Sequence, residues 1–366
     1  MNRSKTRTTL ILDRWNNKKY ITEMKQLILI VAIGFFFPCQ NNKQVKSEVL
    51  QDSQEIELEW LENWFDAWEL IAGDVFKLPR TNPPVVLFYD NEYVYTTSNE
   101  SAPGGEKFNG PKLFGEKLPW KRATHNDTLS LPTGQRVPVQ LMTFAAPSEK
   151  EGVESFFVMA APSFWQSAGV DSKEVGLDKM LTGIFVHEFA HTRQMNGFGS
   201  KISGFEKNNK FDFNVNDDII QNYFSDDPIY VERFKREIDL FYRAATAENK
   251  KETTELAKQG LAQLRKRQEE YLKPKKGILV EMDHVFLTME GIGQYAIVSW
   301  LEHPKGGKVA KDVAIKATRR NKKWWSQDEG LALVMLYRSL VPDPDWKGMF
   351  SQHPENIIVL IEKELN

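Results

Sequence analysis

The chain has 366 residues, 41% of them hydrophobic and ten of them tryptophan, a composition that calls for a substantial folded core and excludes a disordered tail. Its formal net charge of −2 argues against a nucleic-acid partner, and no Gly-rich phosphate loop, G-x-S-x-G turn or internal repeat occurs. A single cysteine rules out an internal disulfide, so stability must come from the core and any bound metal.

Residues 1–23 are basic and polar. Met24-Lys25-Gln26 then leads into the apolar stretch 27–38, which is too short for a membrane span and has the length of a signal h-region. Cys39 follows at once, trailed by Gln40-Asn41-Asn42-Lys43-Gln44. This arrangement resembles a bacterial lipoprotein signal, although Phe36-Phe37-Pro38 stand where leucine and small residues are usual. Because residues 1–23 sit oddly ahead of a signal, Met24 is the expected initiator. The resemblance implies cleavage before Cys39 and lipidation of its thiol. The alternative is an uncleaved anchor over the same residues. Either one puts the protein outside the cytoplasm, on a membrane, through an N-terminal lipid or anchor.

The chain divides into a signal or anchor region (1–39), a polar tether (40–55), a helix-plus-sheet unit (56–170), a helical unit (171–310) and a C-terminal helical region (311–366). An amphipathic, aromatic-rich helix is expected over 56–72, with Trp64 and Trp68 in the core. The stretches 85–89, 93–96, 139–144 and 155–159 read as strands of a small mixed sheet. Gly104-Gly105 and Asn109-Gly110, flanked by Pro103 and Pro111, mark a loop that could fringe a cleft. From about 173 the chain reads as helical nearly to its end. The fold class is therefore α+β, a small mixed sheet followed by a mainly helical lobe.

Within the first long helix stands His187-Glu188-Phe189-Ala190-His191. Residues four apart share a helix face, so both imidazoles point at one place, as a tetrahedral zinc requires. Glu188 is placed beside them to take a proton from a metal-activated water. Leu181, Ile184, Phe185 and Phe189 give the helix a buried flank.

The third ligand is not a histidine six residues beyond His191, because that position is Gly197 and the glycine such a pattern needs is Gln194. A carboxylate from a later helix is the alternative. Glu290 sits in the apolar, proline-free stretch 279–300, where an acidic residue is costly unless paired or metal-bound. Asp217, Asp218 and Glu232 are rivals, the two aspartates being placed to cap a helix. The segment Met289-Glu290-Gly291-Ile292-Gly293-Gln294-Tyr295 resembles the N-E-G-F-A-x-Y stretch of gluzincin aminopeptidases. The resemblance implies that Glu290 completes a zinc site with His187 and His191, that Gly291 admits a close neighbour, and that the fold is zincin-like. It departs from those enzymes in the long gap after His191 and in lacking their G-A-M-E-N signature, so it points to the gluzincin class and not to aminopeptidase activity.

Gln194 shares the ligand face, where it could orient a histidine or touch substrate, and Gln294 lies one turn beyond Glu290. Candidates for stabilising a developing oxyanion are Tyr230, Tyr242, His284 and His303; Tyr295 falls off the ligand face. In the zincin layout an edge strand beside the active-site helix receives extended substrate, and 155–161 is the candidate because it is the last strand before the motif, the alternative being an ordinary core strand. The charge-dense stretch 248–267 reads as an exposed helix inserted before Glu290, and the basic run 319–323 as a solvated helix end. The leading expectation is a zinc-dependent peptidase acting on a peptide or protein. The alternative is a zinc-stabilised, catalytically inactive surface protein, and a third reading is a metal-free structural lipoprotein.

Overall fold

The computed structural model describes residues 58–148, 151–319 and 323–366. The expected leader, the tether and lipidation at Cys39 lie outside them. Among the described residues no helix is long and apolar enough to cross a membrane.

Helix α1 (Glu59–Leu70) turns Leu61, Trp64, Phe65 and Trp68 inward, then widens into a π-helical turn at Ile71–Val75. Its rings meet the later helix that carries the histidines: Trp64 stacks on Phe185 at 5.3 Å between centroids, while Phe65 and Trp68 reach Phe189. Each such ring pair adds about 0.5–1.5 kcal/mol beyond its buried area.

Strands β1 (Val85–Tyr89), β2 (Tyr93–Thr96), β3 (Glu106–Lys107) and β4 (Lys121–Thr124) come next; β5 (Thr128–Ser130) and β6 (Arg136–Pro138) form a separate pair. With β7 (Thr143–Pro147) and β8 (Ser155–Ala160) they build a six-stranded mixed sheet in the order β3-β4-β2-β1-β8-β7. The expected strand over 139–144 begins only at Thr143, because the Tyr89 hydroxyl donates to the Gln140 carbonyl at 2.6 Å and ties that approach down. Of the two readings of 155–161, edge strand or core strand, the structure has the core strand. β8 is interior, parallel to β1 and antiparallel to β7, and all six of its residues are buried. The edge beside the histidine helix is β7. The loop carrying Gly104-Gly105 and Gly110 lies at the β4 side, the opposite end of the sheet, where Gly110 makes room for the Trp120 ring.

The helical part comprises α2 (Pro162–Ser167), α3 (Leu177–Thr192), α4 (Ser200–Asn208), α5 (Ile219–Phe224), α6 (Pro228–Thr246), α7 (Lys250–Arg267), α8 (Lys273–Lys275), α9 (Ile278–Glu302), α10 (Lys311–Arg319), α11 (Trp325–Leu340) and α12 (Ile357–Leu365). Three of these, α3, α9 and α11, pack through glycine. A Cβ on Gly291 would lie 2.5 Å from the Gly330 carbonyl oxygen, and one on Gly293 would lie 2.6 Å from Nδ1 of His187. Neither position has room for a side chain, so the E-G-x-G run lets α9 touch α11 on one side and an imidazole on the other.

Helix α7 is not the exposed insertion that its charges suggest. Thr253, Leu256, Ala257, Gly260, Leu261 and Leu264 form a buried stripe, and Gly260 admits the Phe241 ring of α6. The stripe ends at Arg267, which is 2% exposed and bound to Glu237 (2.9 Å), Asp283 (3.1 Å) and Glu329 (3.2 Å). Arg319 departs from its expected solvation as well, lying over the Tyr242 ring and pairing with Asp328 at 2.9 Å.

Candidate metal centre

Helix α3 presents His187 and His191 one turn apart, with their Nε2 atoms 3.1 Å from each other. Helix α9 crosses it and brings Glu290 to the same point, Oε2 lying 3.2 Å from His187 Nε2 and Oε1 3.3 Å from His191 Nε2. Three donors bound to one tetrahedral ion at about 2.0–2.1 Å are about 3.3 Å apart, so this triangle has the edge length that a single tetrahedral ion needs. Glu188 also falls near, since His187, Glu188 and His191 can offer ligand atoms within 4.8 Å of one another. This buried His/Glu/His group could hold a metal ion. Between the two glutamates, Glu290 closes the tighter triangle. Glu188 is rotated about 100° from His187 around α3 and stands to one side.

All four side chains are buried, Glu290 and His191 at 0% exposure, and neither Glu290 oxygen has a hydrogen-bond partner beyond its approach to the imidazoles. A buried carboxylate needs a cationic partner, and the two imidazoles are the groups within reach of it. Burial opposes its ionisation, yet the two imidazoles hold the Glu290 carboxyl well below the usual range. Burial likewise opposes charge on His191, but Glu290 beside it lifts that ring to about 9. A metal entering here displaces a proton.

Gln194 is where the sequence expects it, with its carbonyl oxygen 2.8 Å from Nδ1 of His191. A carbonyl only accepts, so Nδ1 carries a hydrogen, and the proton that a metal would displace is the one on Nε2. Gln294 touches no imidazole. Its amide donates to Oε1 of Gln327 on α11 at 2.6 Å, and Gln327 in turn reaches Oδ2 of Asp217 at 3.4 Å.

Asp217 and Asp218 do not cap α5. Asp218 occupies the N-cap position without a side-chain capping bond, and Asn216 supplies the local side-chain contact instead. Both carboxyls lie within electrostatic reach of Glu290. Asp217 is raised well above the ordinary carboxylate range by burial and then by Glu290, Asp218 and Glu188; Asp218 is raised to about 6 by burial and Glu290. The third rival, Glu232, pairs with Arg236 on the exposed face of α6.

The proposed oxyanion partners are engaged elsewhere. Tyr230 bonds Arg267, Tyr242 donates to Asp328, His284 meets Arg265 and His303 lies by Asp74. Tyr295 packs on Phe76 and Trp346, off the ligand face as expected. What the sequence reading missed is the first turn of α11. Gln327, Asp328 and Glu329 are consecutive buried polar residues ahead of Gly330, and such a run inside an otherwise apolar helix was the available signal.

Compared with known protein families, curated proteins and solved structures, the chain finds no match.

Proposed function

We propose that the protein is a zinc-dependent hydrolase of peptide bonds, of gluzincin type and zincin-like architecture, with zinc held by His187, His191 and Glu290. The observation that carries this reading is the triangle of 3.1, 3.2 and 3.3 Å between two imidazole nitrogens and a buried carboxylate. When bound, the ion supplies a Lewis acid that polarises a carbonyl and lowers the pKa of water. Glu188 takes the proton of the attacking water and returns it to the leaving amine. Gln194 holds the His191 ring in the ligating tautomer.

An extended substrate adds to β7. By the ladder register, Phe144 and Ala146 bond β8, which leaves the peptide groups of Thr143 and Ala145 turned to the outer edge. In the same reading the chain is exported and tethered through Cys39 or its apolar leader.

The experiment is Glu188→Gln. Zinc content stays at the parent level while cleavage of a peptide library falls by at least about 100-fold. Undiminished cleavage removes Glu188 as the base, and loss of zinc reassigns it as a ligand.

A second reading, a zinc-stabilised protein without catalysis, is favoured by one observation. The ligands and Glu188 are 0–3% exposed, and closed sites serve structure. It expects bound zinc, no cleavage by the parent, and a binding role that survives Glu188→Gln.

A further inference from the structure

Asp217 is a buried carboxylate that the proposed chemistry does not use. It is 5% exposed and has no ion pair among the described residues, its side-chain contact being the long bond from Gln327. The charges acting on it most strongly are the carboxylates of Glu290, Asp218 and Glu188. Four carboxyl groups therefore act on one another here; a divalent ion offsets the charge of two, and Lys323 acts on Asp218. An uncompensated buried carboxylate is costly, and such groups collect at functional sites.

Gln294 supplies an independent observation. It is 3% exposed, and its amide nitrogen is committed to Gln327 in the chain that ends at Asp217, yet its own carbonyl oxygen accepts nothing. Oδ1 of Asp218 is also buried without a hydrogen-bond partner. The groups left over around Asp217, the Gln294 carbonyl and Asp218 Oδ1, are acceptors and carry net negative charge, while the donor left over, Gln194 Nε2, stands at His191 instead. Their complement is a cation with several N–H donors; a primary ammonium has three and no acceptor.

We propose that Asp217, with the Gln294 carbonyl and Asp218 Oδ1, is a subsite for a primary ammonium group of the substrate. The proposal rests on the hydrolase reading and gives that site a substrate class, peptides with an α-ammonium or a lysine ε-ammonium next to the bond that reacts. The Gln327–Gln294 chain positions Asp217 and couples α9 and α11 to the loop ahead of α5.

The test is calorimetric and needs no turnover. Zinc-loaded full-length protein is titrated with L-leucinamide, Nα-acetyl-L-lysinamide and Nα-acetyl-L-leucinamide. One of the two amines is expected to bind at least about tenfold more tightly than the uncharged amide, a difference of about 1.4 kcal/mol, and which one it is tells the α- from the ε-ammonium. Asp217→Asn is expected to abolish that preference with zinc content unchanged. If this variant does not fold, Gln294→Met carries the same test. Equal binding of the three probes, no binding of any, or a preference that survives the substitution overturns the proposal. Zinc loss in Asp217→Asn also overturns it, since Asp217 is then a metal ligand. A parent without zinc contradicts the metal reading, and the amine preference on that preparation still judges the subsite on its own.

Discussion

Gly293→Ala separates the metal centre from the fold. The added methyl would sit 2.6 Å from Nδ1, 2.7 Å from Cε1 and 2.9 Å from Cγ of His187. The closest ordinary contacts are about 3.5 Å, so the ring must retreat by about 0.9 Å. Zinc–ligand distances tolerate about 0.2 Å. A ring so displaced loses its bond or pulls α3 away from α9. Loss of an outer-shell partner alone costs about 10–100-fold in metal affinity, and displacing a ligand costs at least the upper end of that range. His187 is a side chain that can move, so the metal-free protein keeps its melting temperature within a few degrees. Gly291→Ala is the control: its methyl meets Gly330 backbone at 2.5 Å, which cannot yield, and the cost falls on the fold. The assay is zinc competition against a chromophoric chelator beside thermal melts of the metal-free proteins. Parental zinc affinity in Gly293→Ala would refute the placement of His187 between the metal and α9.

Gln194→Ala removes the acceptor from His191 and should weaken zinc about 10–100-fold with little change in the metal-free melting curve, measured by the same competition. Arg267→Met leaves Glu237, Asp283 and Glu329 buried around an absent charge and should destabilise by about 3–5 kcal/mol in urea titrations. His284 accepts from Arg265 at 3.0 Å, and burial holds its pKa below the ordinary value. The unfolded chain then binds the proton more readily, so stability should fall as pH drops below about 6.5, and His284→Gln should flatten that slope. A slope unchanged by the substitution would show that other groups set it.

The juxtaposition of His187, His191 and Glu290 was legible because its signals are local. Two histidines at helical spacing share a face, and a lone glutamate in the apolar stretch 279–300 needs a reason to be buried. Gln194 follows from the same spacing. The order of the sheet did not follow, because whether β7 or β8 lies at the edge depends on β1 pairing with β8 across more than sixty residues. Helix α7 was misread because lysines and glutamates on its outer face hide a stripe of leucines and small residues, and the Phe241 ring that fits against Gly260 lies on another helix. Asp217 and Gln327 are 110 positions apart, and the docking of α5 on the start of α11, where Gln221 accepts from the Trp325 N–H, brings them to one place. Periodicity reports the face that a residue occupies, and says nothing about which distant face it will meet.

The most direct measurement is the metal content of the purified protein beside its Glu290→Ala variant. The account predicts one zinc per chain in the parent, lost or bound at least about 100-fold more weakly in the variant. Zinc absent from both after reloading, or held equally by both, would contradict a centre built from His187, His191 and Glu290.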